Sequence, residues 1–381
     1  MKKLRGKIRL WLPSVLVSAL ALILFVLPSW GTAYQTLVND SISYEKGRVE
    51  QILSEQLEES TLKGGHMLGT QELVIRLQDG QAVEVTNYLT DTHNIQVDEG
   101  TRVIVCVDAP EGVAPYYTLY NYDRTGSILL IVAFFCLLMV GVGGHKGLSA
   151  AVAILFTLVF VLRVAIPAIY QGSPPVLVGI ITVLLSTAVT ILLLYGPTAR
   201  GMLAIGVTLA GEVLSCLIFL AFSWLLHLNG FQTSDAESLL VVAQNTGLDI
   251  STVLFAGTMI ASLGAVMDVA VSLLSSLWEV RLADPEISSG ALMRAGLHIA
   301  RDMITTMSNT LIFAFSGGAL MTVLVLFSYG VEANQLISSD YAALELAQGL
   351  CGTCAVILTV PLASFAAAIC YPRLKIKNPG A

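Results

Sequence analysis

The most prominent pattern along the chain is a series of long apolar runs separated by shorter polar segments. A helix needs about 20 apolar residues to cross a hydrocarbon core of about 30 Å, because each backbone amide must be hydrogen-bonded within the helix. Runs of this length begin near Trp11, Ser127, Leu148, Pro175, Met202, Ser251, Ile304 and Tyr341. The pattern therefore predicts an α-helical integral membrane bundle of about eight transmembrane helices.

A polar, acidic segment lies between the first two runs, and part of it shows the alternation typical of strands. Apolar and polar residues alternate over residues 73–77 and 83–85, and Asp79-Gly80 between them favours a hairpin turn. A second strand pair is expected from residues 95–97 and 103–107, which flank a turn at residues 98–100. The segment is predicted to be a small all-β domain, either an antiparallel barrel or a sandwich.

The start of this domain is less regular. Residues 47–53 are expected to form its first strand, and residues 55–61 a short helix or a loop.

The predicted organisation of the whole chain is an N-terminal transmembrane anchor (1–30), a β-rich domain (31–126) and a membrane domain of about seven transmembrane helices (127–381).

Lys and Arg residues predict the orientation, because short loops that carry them resist translocation. A basic segment before the first run, which includes Lys2, Lys3 and Arg5, places the N-terminus in the cytoplasm. With eight spans, the short loops opposite to it, residues 171–174 and 330–340 among them, contain no Lys or Arg. The basic residues of the later loops and of the C-terminus then fall on the cytoplasmic side: His145, Lys146, Arg200, Arg281, Arg294, Arg301, Arg373, Lys375 and Lys377. Both termini are predicted to be cytoplasmic and the β-rich domain extracytoplasmic.

The first run also has features of a signal peptide. It has a basic start, and Gly31-Thr32-Ala33 is a weak cleavage-like site. An apolar length of about 20 residues exceeds that of a usual signal-peptide core. The length favours an uncleaved anchor.

Composition agrees with a membrane protein and narrows the functional classes. Apolar residues make up 55% of the chain and charged residues 12%, with a mean hydropathy of +0.77. A net charge of −7 offers no basic surface for nucleic acid, so we expect no nucleic-acid partner. Only Cys106 of the six cysteines lies in the polar segment, which excludes a disulfide framework there. The sequence has no zinc-protease, serine-hydrolase or P-loop motif, so we expect neither an enzyme nor a bound cofactor.

The most informative polar residue in an apolar run is Asp268. A charge at the bilayer centre costs about 2.5–3.5 kcal/mol on insertion scales, so a carboxylate there needs a partner, water or a proton. Small and polar residues recur around it at three- and four-residue steps, namely Gly257, Ala261, Gly264, Ala265, Asp268, Ser272, Ser275, Ser276 and Glu279. This stripe indicates either a pathway for a solute, ion or proton, or a packed helix interface with one hydrogen-bonded acid.

The run that begins near Ile304 is also unusually polar. Thr305 and Asn309 lie one turn apart and are candidates to share a site with Asp268. The alternative is that its Ser and Thr side chains bond to their own helix backbone. An amphipathic stretch with Arg301 and Asp302 precedes this run and is expected at the cytoplasmic interface. With Glu279 these two residues are the polar candidates at the cytoplasmic end.

Three more ionisable residues fall within apolar runs. Glu212 has Thr208 and Ser215 about one turn away on either side and is a second candidate for the pathway. Glu345, near the start of the last run, is a further candidate, although water near the outer surface could hydrate it. Arg163 is expected to reach the interface or to pair with a carboxylate. The metal-binding capacity and the oligomeric state are left open.

Several segments together resemble the YibE/F family of bacterial multi-pass membrane proteins. The similar segments are Ala261-Ser-Leu-Gly-Ala-Val-Met-Asp268-Val-Ala with Ser275-Ser276 and Glu279, Arg301-Asp302 followed by Thr306-Met-Ser-Asn309-Thr-Leu, and Val360-Pro361-Leu. The order of an N-terminal span, a β-rich domain and a helical bundle is also similar. The resemblance implies a bacterial cell membrane location and directs attention to Asp268, Ser272, Asn309 and Glu345. Glu212 and Arg163 depart from the family's pattern, and a pairing between them would be a local structural substitution.

Two hypotheses for the function follow. The first is a permease that moves a small solute or ion along Asp268, Ser272, Thr305, Asn309, Glu345 and Glu212. The second is a membrane scaffold or sensor whose extracytoplasmic domain binds an envelope protein partner, while the polar stripe only packs helices. The lipid bilayer is the one partner that both hypotheses share.

Overall fold

The computed structural model describes residues 2–26, 41–61, 65–232 and 236–374. The cleavage-like site Gly31-Thr32-Ala33 and the basic residues Lys375 and Lys377 lie outside the described residues. The chain divides into two compact units, one of Gln35–Leu138 and one of Met1–Tyr34 with Met139–Ala381.

The first unit contains an antiparallel β half-barrel at residues 42–122. Its strands are β1 (Ile42–Glu59), β2 (Met67–Leu77), β3 (Ala82–Leu89), β4 (Arg102–Asp108) and β5 (Tyr116–Tyr122), in the spatial order β3-β2-β1-β4-β5. The long central strand β1 pairs with β4 through its first part and with β2 through the rest, with irregular register between Val49 and Gln51. The core is formed by alternating apolar residues of these strands, such as Leu73, Ile75, Val103 and Val105.

The hairpin predicted at Asp79-Gly80 is confirmed. It joins β2 to β3, with Arg76 opposite Ala82. Gly80 has a φ of +90°, a conformation that glycine adopts without steric cost. The Asp79 carboxylate accepts a hydrogen bond from the Gln81 amide.

The prediction of a helix or loop at residues 55–61 is wrong, because residues 55–59 belong to β1. They pair with residues 67–71 of β2. The side chains of Glu55, Gln56, Glu58 and Glu59 are exposed. Both faces of this stretch therefore carry polar residues, and no alternation in the sequence reveals a strand whose pairing is non-local.

The second predicted strand pair is also wrong. Ile95 and Val97 are buried, but they lie in an extended segment without strand pairing, and β4 pairs with β1 and β5 instead. Side-chain amides take the place of a neighbouring strand. The Gln71 amide donates to the Val97 carbonyl at 3.0 Å and accepts from the Val97 N–H at 3.2 Å. The Asn87 amide donates to the Ile95 carbonyl at 2.8 Å.

The remaining elements are helical. They are α1 (Lys2–Val26), α2 (Thr125–Phe160), a π-helical turn (Val161–Ala165), α3 (Ile166–Tyr170), α4 (Pro175–Tyr195), α5 (Ala199–Leu225), α6 (Ala236–Thr246), α7 (Ile250–Ala283), α8 (Ser289–Ser328), α9 (Ala333–Ile337), α10 (Asp340–Cys370) and a 3₁₀ turn (Tyr371–Arg373). Helices α5, α7, α8 and α10 enclose the largest buried apolar cluster of the second unit, together with Ile191 of α4.

Six helical stretches of the described residues are long and apolar enough to cross a membrane. The runs predicted near Ser127 and Leu148 lie in one stretch, Thr125–Tyr170, which is interrupted at Gly144 by a non-helical backbone (φ 55°, ψ −134°). The apolar part of α1, Pro13–Phe25, is shorter than a span. The count of about eight spans stays a prediction.

The amphipathic stretch predicted before the run at Ile304 forms the first turns of α8. Leu292, Gly296 and Ala300 on this stretch are buried in the bundle. A Cβ at Gly296 would lie 2.6 Å from Ser364 Oγ of α10 and 3.1 Å from a Leu277 methyl of α7. This part of α8 is thus held by close packing on two helices, which the sequence did not indicate.

Candidate functional site

The most buried carboxyl group of the described helices belongs to Glu212. It is the middle residue of α5, and 3% of its surface is exposed. The Ser262 hydroxyl of α7 donates to Glu212 Oε1 at 2.8 Å. The second oxygen, Oε2, has no hydrogen-bond partner among the described residues. The pair places a carboxyl group between two apolar helices, with one of its two oxygens unpartnered among the described residues.

Close approach of three helices creates this environment, which we call the Glu212 junction. It comprises Thr208, Gly211, Glu212 and Ser215 of α5, Ser262 and Val266 of α7, and Cys351 and Thr359 of α10. A Cβ at Gly211 would lie 2.5 Å from Thr359 Oγ1 and 2.7 Å from Val266 Cγ1. Only glycine lets α5, α7 and α10 meet at this distance.

The polar groups of the junction are only partly satisfied. Ser215 Oγ and Cys351 Sγ lie 3.5 Å apart, and the Cys351 thiol is also placed to donate to the Ser215 carbonyl at 3.2 Å. The Thr208 hydroxyl is fully buried and has no partner among the described residues. Buried polar groups in proteins are nearly always hydrogen-bonded or hydrated. An unpaired hydroxyl and an unpaired carboxyl oxygen on one helix indicate a place that a proton, water or ligand could satisfy.

Arg163 does not pair with Glu212. It lies in the π-helical turn, where its guanidinium donates to the Phe25 carbonyl of α1 at 2.8 Å and lies over the Phe25 ring. The substitution suggested by a Glu212–Arg163 pair is therefore absent.

The stripe around Asp268 lies on the exposed side of α7. Asp268, Ser272 and Glu279 are exposed, and Gly257 and Gly264 have no atom within 4 Å of a Cβ built on them. The opposite side of α7 packs in the bundle through residues such as Leu263, Val266, Val269, Ala270 and Leu273. Among the described residues, the small and polar side of α7 is thus largely uncovered.

The candidates on α8 are exposed as well. Thr305 donates to the Arg301 carbonyl at 3.1 Å, which matches the alternative of bonding to the helix's own backbone. Asn309, Arg301 and Asp302 are also exposed. The hydrogen bonds of the described residues do not join Asn309 to Asp268.

Glu345 lies apart from both groups. It lines a cavity of about 490 Å³ between α8 and α10, with Ser316 and Tyr341 among otherwise mainly apolar neighbours. The structure thus brings Glu212 together with Thr208 and Ser215, but it does not gather Asp268, Asn309 and Glu345 into one site. Groups of three or more potential metal ligands do not occur among the described residues.

Sequence reasoning missed Ser262, the direct partner of Glu212. Ser262 lies beside the small and polar stripe of α7 but on the buried side of the helix. Cys351 and Thr359 were missed as neighbours of Glu212 because they lie on α10, far from Glu212 in the sequence. A signal that could have pointed to Ser262 is its position on α7 opposite the polar stripe. A polar side chain on the packed side of a membrane helix requires a partner within the protein.

A family comparison decides what kind of protein this is. A model of the YibE/F-like protein family matches residues 131–373. The chain belongs to the YibE/F-like family. The match covers α4 to α10 and most of α2, including the Glu212 junction and the exposed side of α7, while the β half-barrel lies before it.

None of the curated proteins and none of the solved structures matched the chain. With six long apolar helices in the described part of the chain, this YibE/F-like protein is a multi-pass membrane protein.

Proposed function

We propose that this YibE/F-like protein is a permease that moves a small solute or ion across the bacterial cell membrane. The observation that carries the proposal is the uncovered polar side of α7 with Asp268 at its centre. Asp268 lies about 27 Å along a helix of about 51 Å, at 1.5 Å per residue. Its carboxyl group is therefore far from both helix ends.

Lipid tails cannot solvate such a group. An uncovered carboxylate at this depth requires water, a second protein surface or a bound cation or proton. Ser272 lies one turn further along the same side, and the glycines at 257 and 264 leave room beside the backbone. Thr305 and Asn309 contribute further polar groups on the exposed side of α8. A water-accessible pathway along these helices accounts for all of these residues.

The Glu212 junction fits a supporting role in this proposal. A buried carboxyl group without a basic partner is stable when it holds a proton, and gain or loss of that proton would change the contact between α5 and α7. The predicted topology of about eight spans with cytoplasmic termini is part of the same proposal.

Flux into proteoliposomes tests the proposal. We expect Asp268→Asn to abolish uptake of the transported member of a panel of ions and small metabolites, while the protein remains folded. The matched control is Glu286→Gln, an exposed carboxylate in the connection between α7 and α8. Undiminished flux in Asp268→Asn would exclude this residue from the pathway.

The second candidate function is a membrane sensor or scaffold that acts through its β half-barrel. The observation that favours it is a concave basic surface on that domain, described below. In that case deletion of residues 41–122 removes the cellular function, and Asp268→Asn has no effect.

A further inference from the structure

Three arginines lie side by side on the β half-barrel. Arg76 of β2 is directly opposite Arg48 of β1, and Arg48 is directly opposite Arg102 of β4. All three side chains are exposed. Their neighbours Val49 and Val103 are in the core, so the arginines occupy the outer face of the sheet. We call this set the arginine row.

The arginine row is unfavourable for the isolated fold. Like charges directly opposite each other on antiparallel strands are destabilising. The row is also not a consequence of a generally basic domain. The structure describes five Lys and Arg residues between Ile42 and Arg124, and four of them, Lys46 and the arginine row, line one cavity. The concentration of positive charge in one place on an acidic domain points to a negatively charged ligand.

The cavity has a volume of about 560 Å³ and contains two carboxylates of the chain itself. Glu50 forms a two-pronged ion pair with Arg76, at 2.6 and 2.9 Å. Asp123 lies 3.3 Å from the Lys46 ammonium group. These carboxylates neutralise two of the four cations.

The other two cations, Arg48 and Arg102, lack a carboxylate partner among the described residues. Arg48 donates through Nε to the Gly100 carbonyl at 3.0 Å, a neutral acceptor. The guanidinium of Arg102 has no hydrogen bond within the described part of the chain. The cavity therefore holds an excess of two positive charges on adjacent strands.

We propose that this cavity is a binding site for a phosphate group, held between Arg48 and Arg102. A guanidinium group binds phosphate oxygens through two parallel hydrogen bonds, and a dianionic phosphate neutralises two arginines at once. A single carboxylate would leave one of them unpaired. The phosphate is a terminal one, carried either by a soluble molecule or by a lipid headgroup such as that of phosphatidic acid, since both present the same dianionic chemistry. The site is independent of the permease proposal.

Titration of inorganic phosphate into the purified full-length protein in detergent tests the site. We expect saturable binding by calorimetry and a rise in the melting temperature of the β half-barrel. In Arg48→Gln/Arg102→Gln, binding is expected to weaken at least about tenfold, because two charge-assisted contacts are lost. Arg124→Gln is the matched control, since Arg124 lies on the same domain outside the cavity, and its binding should stay at the wild-type value.

Three further measurements make the outcome decisive. Without phosphate, Arg48→Gln/Arg102→Gln should melt at a higher temperature than the wild type, because the repulsion within the arginine row is removed; this result also shows that the variant folds. Glu50→Gln frees Arg76 and should tighten phosphate binding.

In nanodiscs of phosphatidylcholine, added phosphatidic acid weakens phosphate binding if the lipid headgroup occupies the site, and leaves it unchanged if the ligand is soluble. Absence of binding by both phosphate and phosphatidic acid, or equal binding by the double variant, would overturn the proposal.

Discussion

The Ser262 hydroxyl of α7 donates a hydrogen bond of 2.8 Å to Oε1 of Glu212, the middle residue of α5. It is the one contact in the described bundle that joins a carboxyl group to another helix by a side-chain hydrogen bond. Because the remaining carboxyl oxygen is unpartnered, this contact determines how well a buried acid is tolerated between two apolar helices.

Removal of the Ser262 hydroxyl should therefore be costly. We expect Ser262→Ala to lower the free energy of unfolding by about 1–3 kcal/mol, since it leaves both Glu212 oxygens without a partner. Ser276→Ala is a suitable control, because Ser276 only donates to the Ser272 carbonyl of its own helix. Unfolding in detergent, followed by circular dichroism, measures both. Equal stabilities of the two variants would show that the contact with Glu212 contributes little.

Replacement of the Glu212 carboxyl group by an amide should not lower the melting temperature. Glu212→Gln keeps an oxygen that accepts from Ser262 and removes the ionisable group. Because no charge then has to be desolvated, we expect a melting temperature equal to or above that of the wild type. A marked loss of stability would mean that the ionised carboxylate is itself paired in the folded protein. The measurement is thermal unfolding at neutral pH.

Gly211 offers a test of the close contact between α5 and α10. Gly211→Ala adds a methyl group that would push Thr359 and Val266 away from α5. Overpacking of this kind lowers the free energy of unfolding by about 1–3 kcal/mol. Gly206→Ala on the same helix is the control, because no atom lies within 4 Å of its Cβ position. That substitution should be neutral or stabilising by up to about 1 kcal/mol. Similar melting temperatures for the two variants would contradict the helix packing described here.

In the β half-barrel, Gln71 should be indispensable for the segment around Val97. Gln71→Leu removes both hydrogen bonds to Val97 and leaves buried backbone groups unpaired, at a cost of about 2–4 kcal/mol. Gln51→Leu, at an exposed position on β1, is the control. Hydrogen exchange should accelerate at the Val97 amide in the Gln71 variant alone. Unchanged protection of that amide would show that other contacts hold the segment.

The ion pairs around the arginine row predict the acid response of the domain. Hydrogen bonds from Arg76 lower the pKa of Glu50, and hydrogen bonds from Thr125 and Lys46 lower the pKa of Asp123. A carboxyl group whose pKa is lower in the folded state stabilises the protein above its unfolded pKa, about 3.9 for Asp and 4.3 for Glu. This contribution is lost as the pH falls through the folded pKa.

The melting temperature of the domain should thus fall with pH below about 4. In Glu50→Gln/Asp123→Asn we expect a smaller fall, because neither side chain can be protonated. A scan of melting temperature against pH for the two proteins measures the difference. Parallel curves would mean that other carboxyl groups govern the acid response.

Local patterns in the sequence were sufficient for much of the architecture. Apolar runs predicted the long helices, and the alternation around Asp79-Gly80 predicted the β2–β3 hairpin, because both depend on residues close together in the chain. The polar stretch at residues 55–59 and the extended segment at Val97 were not predictable in this way. Their conformations depend on partners that are distant in sequence, β2 for the first and Gln71 for the second.

In the membrane bundle, too, local sequence patterns predict the helices, and contacts between helices determine how they pack. The amino-acid pattern is sufficient to show that the chain contains long apolar helices and that α7 carries Asp268 on a small and polar side. Which side of α7 is buried depends on how the helices pack: Ser262 faces Glu212, and Asp268 lies exposed. Apolar side chains are equally compatible with lipid and with neighbouring helices, so hydrophobicity alone cannot choose the packed face. Close contacts such as that at Gly211 make the choice.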